Sequence, residues 1–102
     1  FTPFDRFAQF ENTKGRELHE LLQEFKELRE RNVQTLKETH IQEADLSKTG
    51  IHPEFGRVTL KELLATWVVH DLGHIRQISR VMAKQYKDEI GPWEAYVPVV
   101  HE

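Results

Sequence analysis

Two stretches of this chain repeat apolar residues at three- and four-residue steps, and that periodicity limits the folds open to it more than any other feature. In the first, Leu18, Leu21, Leu22, Phe25, Leu28, Val33 and Leu36 alternate with Glu, Lys and Arg, which predicts an amphipathic helix from about Lys14 to Glu38. In the second, Thr59-Leu60-Lys61-Glu62 reads as a capping box that opens a helix running to about Lys87. Gly91-Pro92 closes that region, and Trp93, Tyr96, Val97, Val99 and Val100 predict a tail folded back onto the helices. Between the two helices lies a connector over 40–58. Ser47-Lys48-Thr49-Gly50 is turn-like there, and Pro53 and Gly56 act as breakers. Ahead of both helices, Phe1, Phe4, Phe7 and Phe10 recur three apart, interrupted by Pro3. They read as a hydrophobic linker or helical turn packing on a core.

Two amphipathic helices present two apolar faces and cannot close a core as a simple hairpin, so each needs a cover from further helices. The expected fold is therefore all-α, a single helical domain over 1–102. Its missing cover comes from a second copy or from helices preceding Phe1. The chain starts without methionine, which reads as a processed or partial chain.

Composition narrows the functional classes. With 30% charged and 38% hydrophobic residues in 102, the chain is globular rather than disordered. A net charge of −3 offers no basic face, so nucleic acid is not an expected partner. No apolar run approaches the length of a membrane span, no secretory signal is visible, and cytoplasm is the default location. The absence of cysteine leaves His, Asp and Glu as the only strong metal ligands.

The candidate site is His70-Asp71-Leu72-Gly73-His74, which sets two imidazoles one helical turn apart on one side of a helix. Six histidines in a chain this short make the spacing weak by itself. The helical wheel adds weight: Leu63, Trp67, His70, His74, Ile78 and Val81 fall within a sector of roughly 80°. Both rings then follow the apolar stripe, toward the expected bundle interior. A buried unpartnered ring costs on the order of 1–3 kcal/mol, so each needs a partner. A shared metal supplies one, and so do two separate hydrogen bonds to carbonyls or carboxylates. Asp71, at one edge of the stripe, reads as an acceptor behind the histidines or a solvent-facing residue, and Gln77, at the other edge, as lining the pocket or simply exposed. Glu62, Arg76 and Arg80 read as solvated surface. Gly73 inside a helix costs about 1 kcal/mol relative to Ala, which points to a close backbone approach or a tolerated glycine. Asp71 stands where a zincin carries its glutamate, so that family's general base is missing.

The strings Gly50-Ile51-His52-Pro53-Glu54-Phe55-Gly56-Arg57-Val58-Thr59-Leu60 and Leu63-Leu64-Ala65-Thr66-Trp67-Val68-Val69-His70-Asp71-Leu72-Gly73-His74-Ile75, followed by Gln77-Ile78, resemble the C-terminal half of DinB-like proteins, most strongly from Gly50 to Tyr96. The resemblance implies an up-down four-helix bundle of the DinB/YfiT type, to which this chain supplies two long helices, connector and tail. It implies a divalent metal, zinc or nickel, held by three histidines, two of which match His70 and His74. The third comes from an earlier helix, and His19, His40, His52 and His101 do not match its position. The activity implied is metal-dependent hydrolysis, or transfer of a small thiol of the bacillithiol or mycothiol type, on a small-molecule substrate. The competing expectation is a non-catalytic helical module that dimerises through its apolar faces and keeps its histidines for structure.

Overall fold

The computed structural model describes residues 2–102 and is mostly helical, with two long helices as the periodicity requires. Phe1, the first of the spaced phenylalanines, lies outside the described residues. The chain divides into two compact units, one ending at Lys61 and the other covering Glu62–Glu102.

The first unit opens with a five-residue helix, α1 (Ala8–Asn12), and continues into α2 (Leu18–Glu38). The long helix starts four residues later than the apolar spacing predicts. Gly15, at φ +72°, takes the left-handed conformation that ends α1's turn and separates the two helices. Phe7 and Phe10 stack on each other with centroids 6.3 Å apart, but Phe4, Phe7 and Phe10 are all exposed. The expected packing of this segment on a core is therefore not what the structure holds. Within α2, side chains four apart support the helix: Gln23 Nε2 donates to Glu27 Oε1 at 3.0 Å and Gln34 Nε2 to Glu38 Oε1 at 2.9 Å. Arg29 lies 5.2 Å from the Phe25 ring centroid, a cation–π contact of the same spacing. Arg16 pairs with Glu24 across the helix start. At the other end His40 adopts φ +51° and its N–H reaches the Lys37 carbonyl at 3.2 Å, the left-handed stop common at helix ends.

The connector contains more regular structure than its breakers predict. A short 3-10 turn (Glu43–Ser47) leads into an antiparallel hairpin, β1 (Thr49–His52) paired with β2 (Gly56–Thr59). The register pairs Thr49 with Thr59, Gly50 with Val58, Ile51 with Arg57 and His52 with Gly56. Thr49 and Gly50, expected in a turn, thus begin a strand, and the turn itself falls at Pro53-Glu54-Phe55. Asp45 anchors the 3-10 turn: Oδ2 accepts the Gln42 N–H at 2.8 Å and Oδ1 meets Lys48 Nζ at 2.8 Å. The Lys48 bond first, then the Gln42 amide, hold the Asp45 carboxyl below its ordinary value of 3.8.

The second long helix, α3 (Leu60–Gln85), follows Thr59 directly, where the capping sequence puts its start. The Leu60 amide donates to the Lys48 carbonyl at 2.8 Å and so ties the helix start to the base of the hairpin. In the second unit the chain leaves α3 through a turn and forms two 3-10 segments, Gly91–Tyr96 and Pro98–His101. The tail does fold back, onto α3 itself: Glu102 Oε2 lies 3.7 Å from Arg76 Nε. Val100, 4% exposed, is the only buried residue among those described. Neither long helix holds a buried residue, so both apolar faces stay accessible in this chain. Among the described residues no helix is long and apolar enough to cross a membrane.

Candidate metal centre

The i, i+4 spacing of His70 and His74 in α3 is realised as a contact between the two rings. Their centroids lie 4.4 Å apart and their planes cross at 83°. The i, i+4 spacing sets the two imidazoles on one side of the helix, in edge-to-face contact with each other. The second ring is also oriented from outside the pair. Nδ1 of His74 lies 2.8 Å from Oε1 of Gln77, one turn further on. An amide oxygen can only accept, so in this contact Nδ1 is the donor, and in the neutral ring that makes it the lone pair is on Nε2. A metal-ligating histidine is commonly held this way, with its second nitrogen donating to an oxygen that fixes tautomer and ring orientation. Gln77 itself is exposed, and its amide oxygen meets the His74 ring.

Both histidines are exposed, as are Leu63, Ile78 and Val81, while Trp67 and Asp71 are half-buried. The stripe predicted from the wheel exists, but in this chain it faces solvent rather than a bundle interior. The desolvation cost that demanded a partner for each ring therefore does not arise here. What remains is an accessible pair of imidazole rings on an apolar surface. Gly73, between the histidines, has no atom within 4 Å of where a Cβ would sit. It reads as a tolerated helix glycine, and nothing approaches the backbone at that point.

The other histidines serve local structure. Nδ1 of His19 lies 3.3 Å from Oε2 of Glu17, and His40 sits in the stop of α2. In the C-terminal tail, Nε2 of His101 lies 3.2 Å from the Glu94 carbonyl. His52 has the most developed role. Its Nδ1 accepts the backbone N–H groups of Glu54 at 3.1 Å and Phe55 at 3.2 Å, and its ring stacks on Phe55 with centroids 4.6 Å apart. The ring closes the hairpin turn as an Asx side chain closes a shorter one. Sequence reasoning places His52 in a turn ahead of Pro53 but misses this double acceptor role, for which Gly56 four residues later is the available signal.

Among the described residues no group of three or more His, Asp or Glu side chains is arranged to hold one metal ion. His70 and His74 stand as a pair, and among the described residues no third such side chain joins them.

A sequence model of the DinB superfamily matches residues 2–78, three quarters of the chain and the whole span through both histidines and Gln77. This chain belongs to the DinB superfamily. The match ends ahead of the tail, so Trp93 and Tyr96 lie outside it. No curated protein matches the chain. Membership in the DinB superfamily accounts for the helical architecture.

Proposed function

We infer that this DinB-superfamily chain binds a divalent metal, zinc or nickel, through Nε2 of His70 and Nε2 of His74. The observation that carries the reading is the oriented pair itself: two exposed rings 4.4 Å apart on one face of α3, with Gln77 fixing the tautomer of His74. The donor chemistry fits, since neutral imidazole is a ligand both metals accept. When bound, such an ion lowers the pKa of a coordinated water or thiol, the chemistry needed for hydrolysis or for thiol transfer of the bacillithiol or mycothiol type. In either reaction the work of this chain's own residues is the same. His70 and His74 bind, Gln77 orients, and the apolar neighbours Leu63, Ile78 and Val81 offer a surface from which water can be excluded when something covers it. Two ligands do not complete a catalytic centre, so activity on a small-molecule substrate requires further donors.

A second reading treats the chain as a non-catalytic helical module that assembles through its apolar faces. The observation in its favour is the exposure of the α3 stripe, with Ile78 at 60% and Val81 at 58%. Apolar faces of this kind mark association surfaces on soluble domains.

Metal content separates the two. Elemental analysis and calorimetric titration should find zinc or nickel bound by the native chain and lost in His70→Ala, with helix content by circular dichroism unchanged because the ring is exposed. Equal metal binding in native chain and variant rejects the ligand assignment, and no binding by either leaves assembly as the function.

A further inference from the structure

We propose that the cleft formed by Pro92, Trp93 and Tyr96 binds a small quaternary ammonium cation of about choline's size. The site lies in the tail, beyond the residues that match the DinB superfamily, and it does not depend on a metal at His70 and His74.

The cleft follows from the local geometry of the tail. Trp93 and Tyr96 stand three residues apart in the 3-10 segment Gly91–Tyr96, and in a 3-10 helix side chains at that spacing eclipse one another. Both rings are therefore set on one side of the segment. With Pro92 they line an open cleft of about 300 Å³. Trp93 is 68% exposed and Tyr96 84%, so the ring faces are accessible. The backbone that carries them is held. Pro92 fixes its own φ, the Trp93 amide donates to the Ile90 carbonyl at 3.2 Å, and the Val97 amide donates to the Glu94 carbonyl at 3.4 Å. Nε2 of His101 lies 3.2 Å from the same Glu94 carbonyl. Rings mounted on a segment already in place lose little freedom when a ligand arrives.

Charge decides what the cleft takes. Its lining is two aromatic rings and a proline, with no carboxylate, amide or ammonium group to orient a polar ligand. An aromatic face is negative and attracts a cation, that of Trp most strongly. The surrounding chain adds to this field. From Asp88 to Glu102 it carries Asp88, Glu89, Glu94 and Glu102 and no Lys or Arg. Glu102 pairs with Arg76, while Asp88, Glu89 and Glu94 have no ion pair among the described residues. An anion is repelled by that balance. A primary ammonium is strongly hydrated and gives up more water than two ring faces return. A quaternary ammonium presents methyl groups to the rings and keeps its charge, which is the combination aromatic cages select. Size sets the other limit, since 300 Å³ is the lower end of ligand pockets and suits a small molecule rather than a peptide segment.

The test is a titration of the EDTA-treated chain with choline chloride, against sodium chloride at equal ionic strength. It is read by the upfield ring-current shift of the N-methyl protons and by the Trp93 indole N–H resonance. Both should saturate together, and His70→Ala should leave the affinity unchanged. The neutral isostere 3,3-dimethylbutan-1-ol, which has choline's shape without its charge, should bind about tenfold more weakly. Tyr96→Leu keeps an apolar side chain but loses the π face, and should weaken choline about tenfold, whereas Tyr96→Phe should stay within about twofold. Glu94→Gln should weaken it about threefold. Circular dichroism checks that each variant keeps its helix content. Equal affinity for choline and its isostere overturns the choice of a cation. Equal affinity in the native chain and Tyr96→Leu overturns the location. Absence of a saturable shift in the native chain overturns the proposal outright. Co-sedimentation with phosphatidylcholine vesicles by a chain that does not bind free choline overturns the small molecule in favour of a lipid headgroup. None of these outcomes bears on the histidines, because metal is absent throughout.

Discussion

The hairpin over Thr49–Thr59 and the histidine face of α3 sit close together in sequence but differ in how far they are finished. The hairpin satisfies itself. Its strands pair with each other, its turn amides go to the His52 ring, and its base is tied to α3 through Leu60 and Lys48. The face of α3 is regular, yet it leaves apolar side chains and two contacting histidine rings in solvent, with no group of three metal-ligating side chains among the described residues. Groups that serve the fold are paired locally, within a few residues. The groups proposed to serve function are placed on a regular helix face and left exposed. His52 and His74 show the contrast within one residue type. The first uses Nδ1 as acceptor for its own turn, and the second turns Nδ1 to Gln77 on the exposed face of α3.

Four substitutions put pressure on that contrast. The largest effect is expected from Gln77→Ala. Loss of the oxygen that orients His74 should weaken zinc or nickel binding by about 10–100-fold, measured by calorimetry, without lowering the melting temperature. An unchanged affinity means the His74–Gln77 contact is incidental. Next is Gly56→Ala, at a residue with φ +74° and open space around the added methyl. The left-handed backbone should then cost about 1–2 kcal/mol in denaturant unfolding, with metal affinity untouched. His52→Ala removes the acceptor for two turn amides and should cost on the order of 1 kcal/mol, while His52→Asn recovers part of it by offering an amide oxygen in the same place. Smallest is Gly73→Ala, which should stabilise α3 by about 1 kcal/mol or less because nothing occupies the space its Cβ takes. A loss of stability there shows that something does pack against that point in solution.

The Asp45 anchor adds a pH dependence on the hairpin side. Its carboxyl is held below the ordinary value of 3.8 by Lys48 and the Gln42 amide, so the folded state favours the ionised form. The stabilisation it gives is present above the unfolded value and is lost as pH falls through the lower, folded one. Carboxyl chemical shifts should place the Asp45 midpoint below 3.8, and Lys48→Ala should move it upward.

How much of this was legible in the sequence depended on the range of the forces involved. The start of α3 at Leu60 was legible because Thr59 carries a local capping signal, and its end at Gln85 fell within two residues of the expectation. The start of α2 was not, because apolar spacing runs on through Lys14 while the backbone breaks at Gly15. The hairpin was hidden because its strands are only four residues long and Gly50 and Gly56 blur any alternation of polar and apolar residues. The pairing of His70 with His74 followed from helix periodicity alone. That the face carrying them stays exposed did not, since the wheel gives the direction of a stripe but not what covers it. Local spacing gives nothing on further donors either, since a coordination shell joins residues distant in sequence.

The proposed metal ligands are Nε2 of His70 and Nε2 of His74. This assignment is tested most directly by following the ring nitrogens of all six histidines by 15N NMR during a zinc titration. The prediction is that the Nε2 resonances of His70 and His74 move to metal-bound shifts together, while His19, His40, His52 and His101 stay where they were. Zinc-induced shifts confined to any of those four, or none at all, would contradict it.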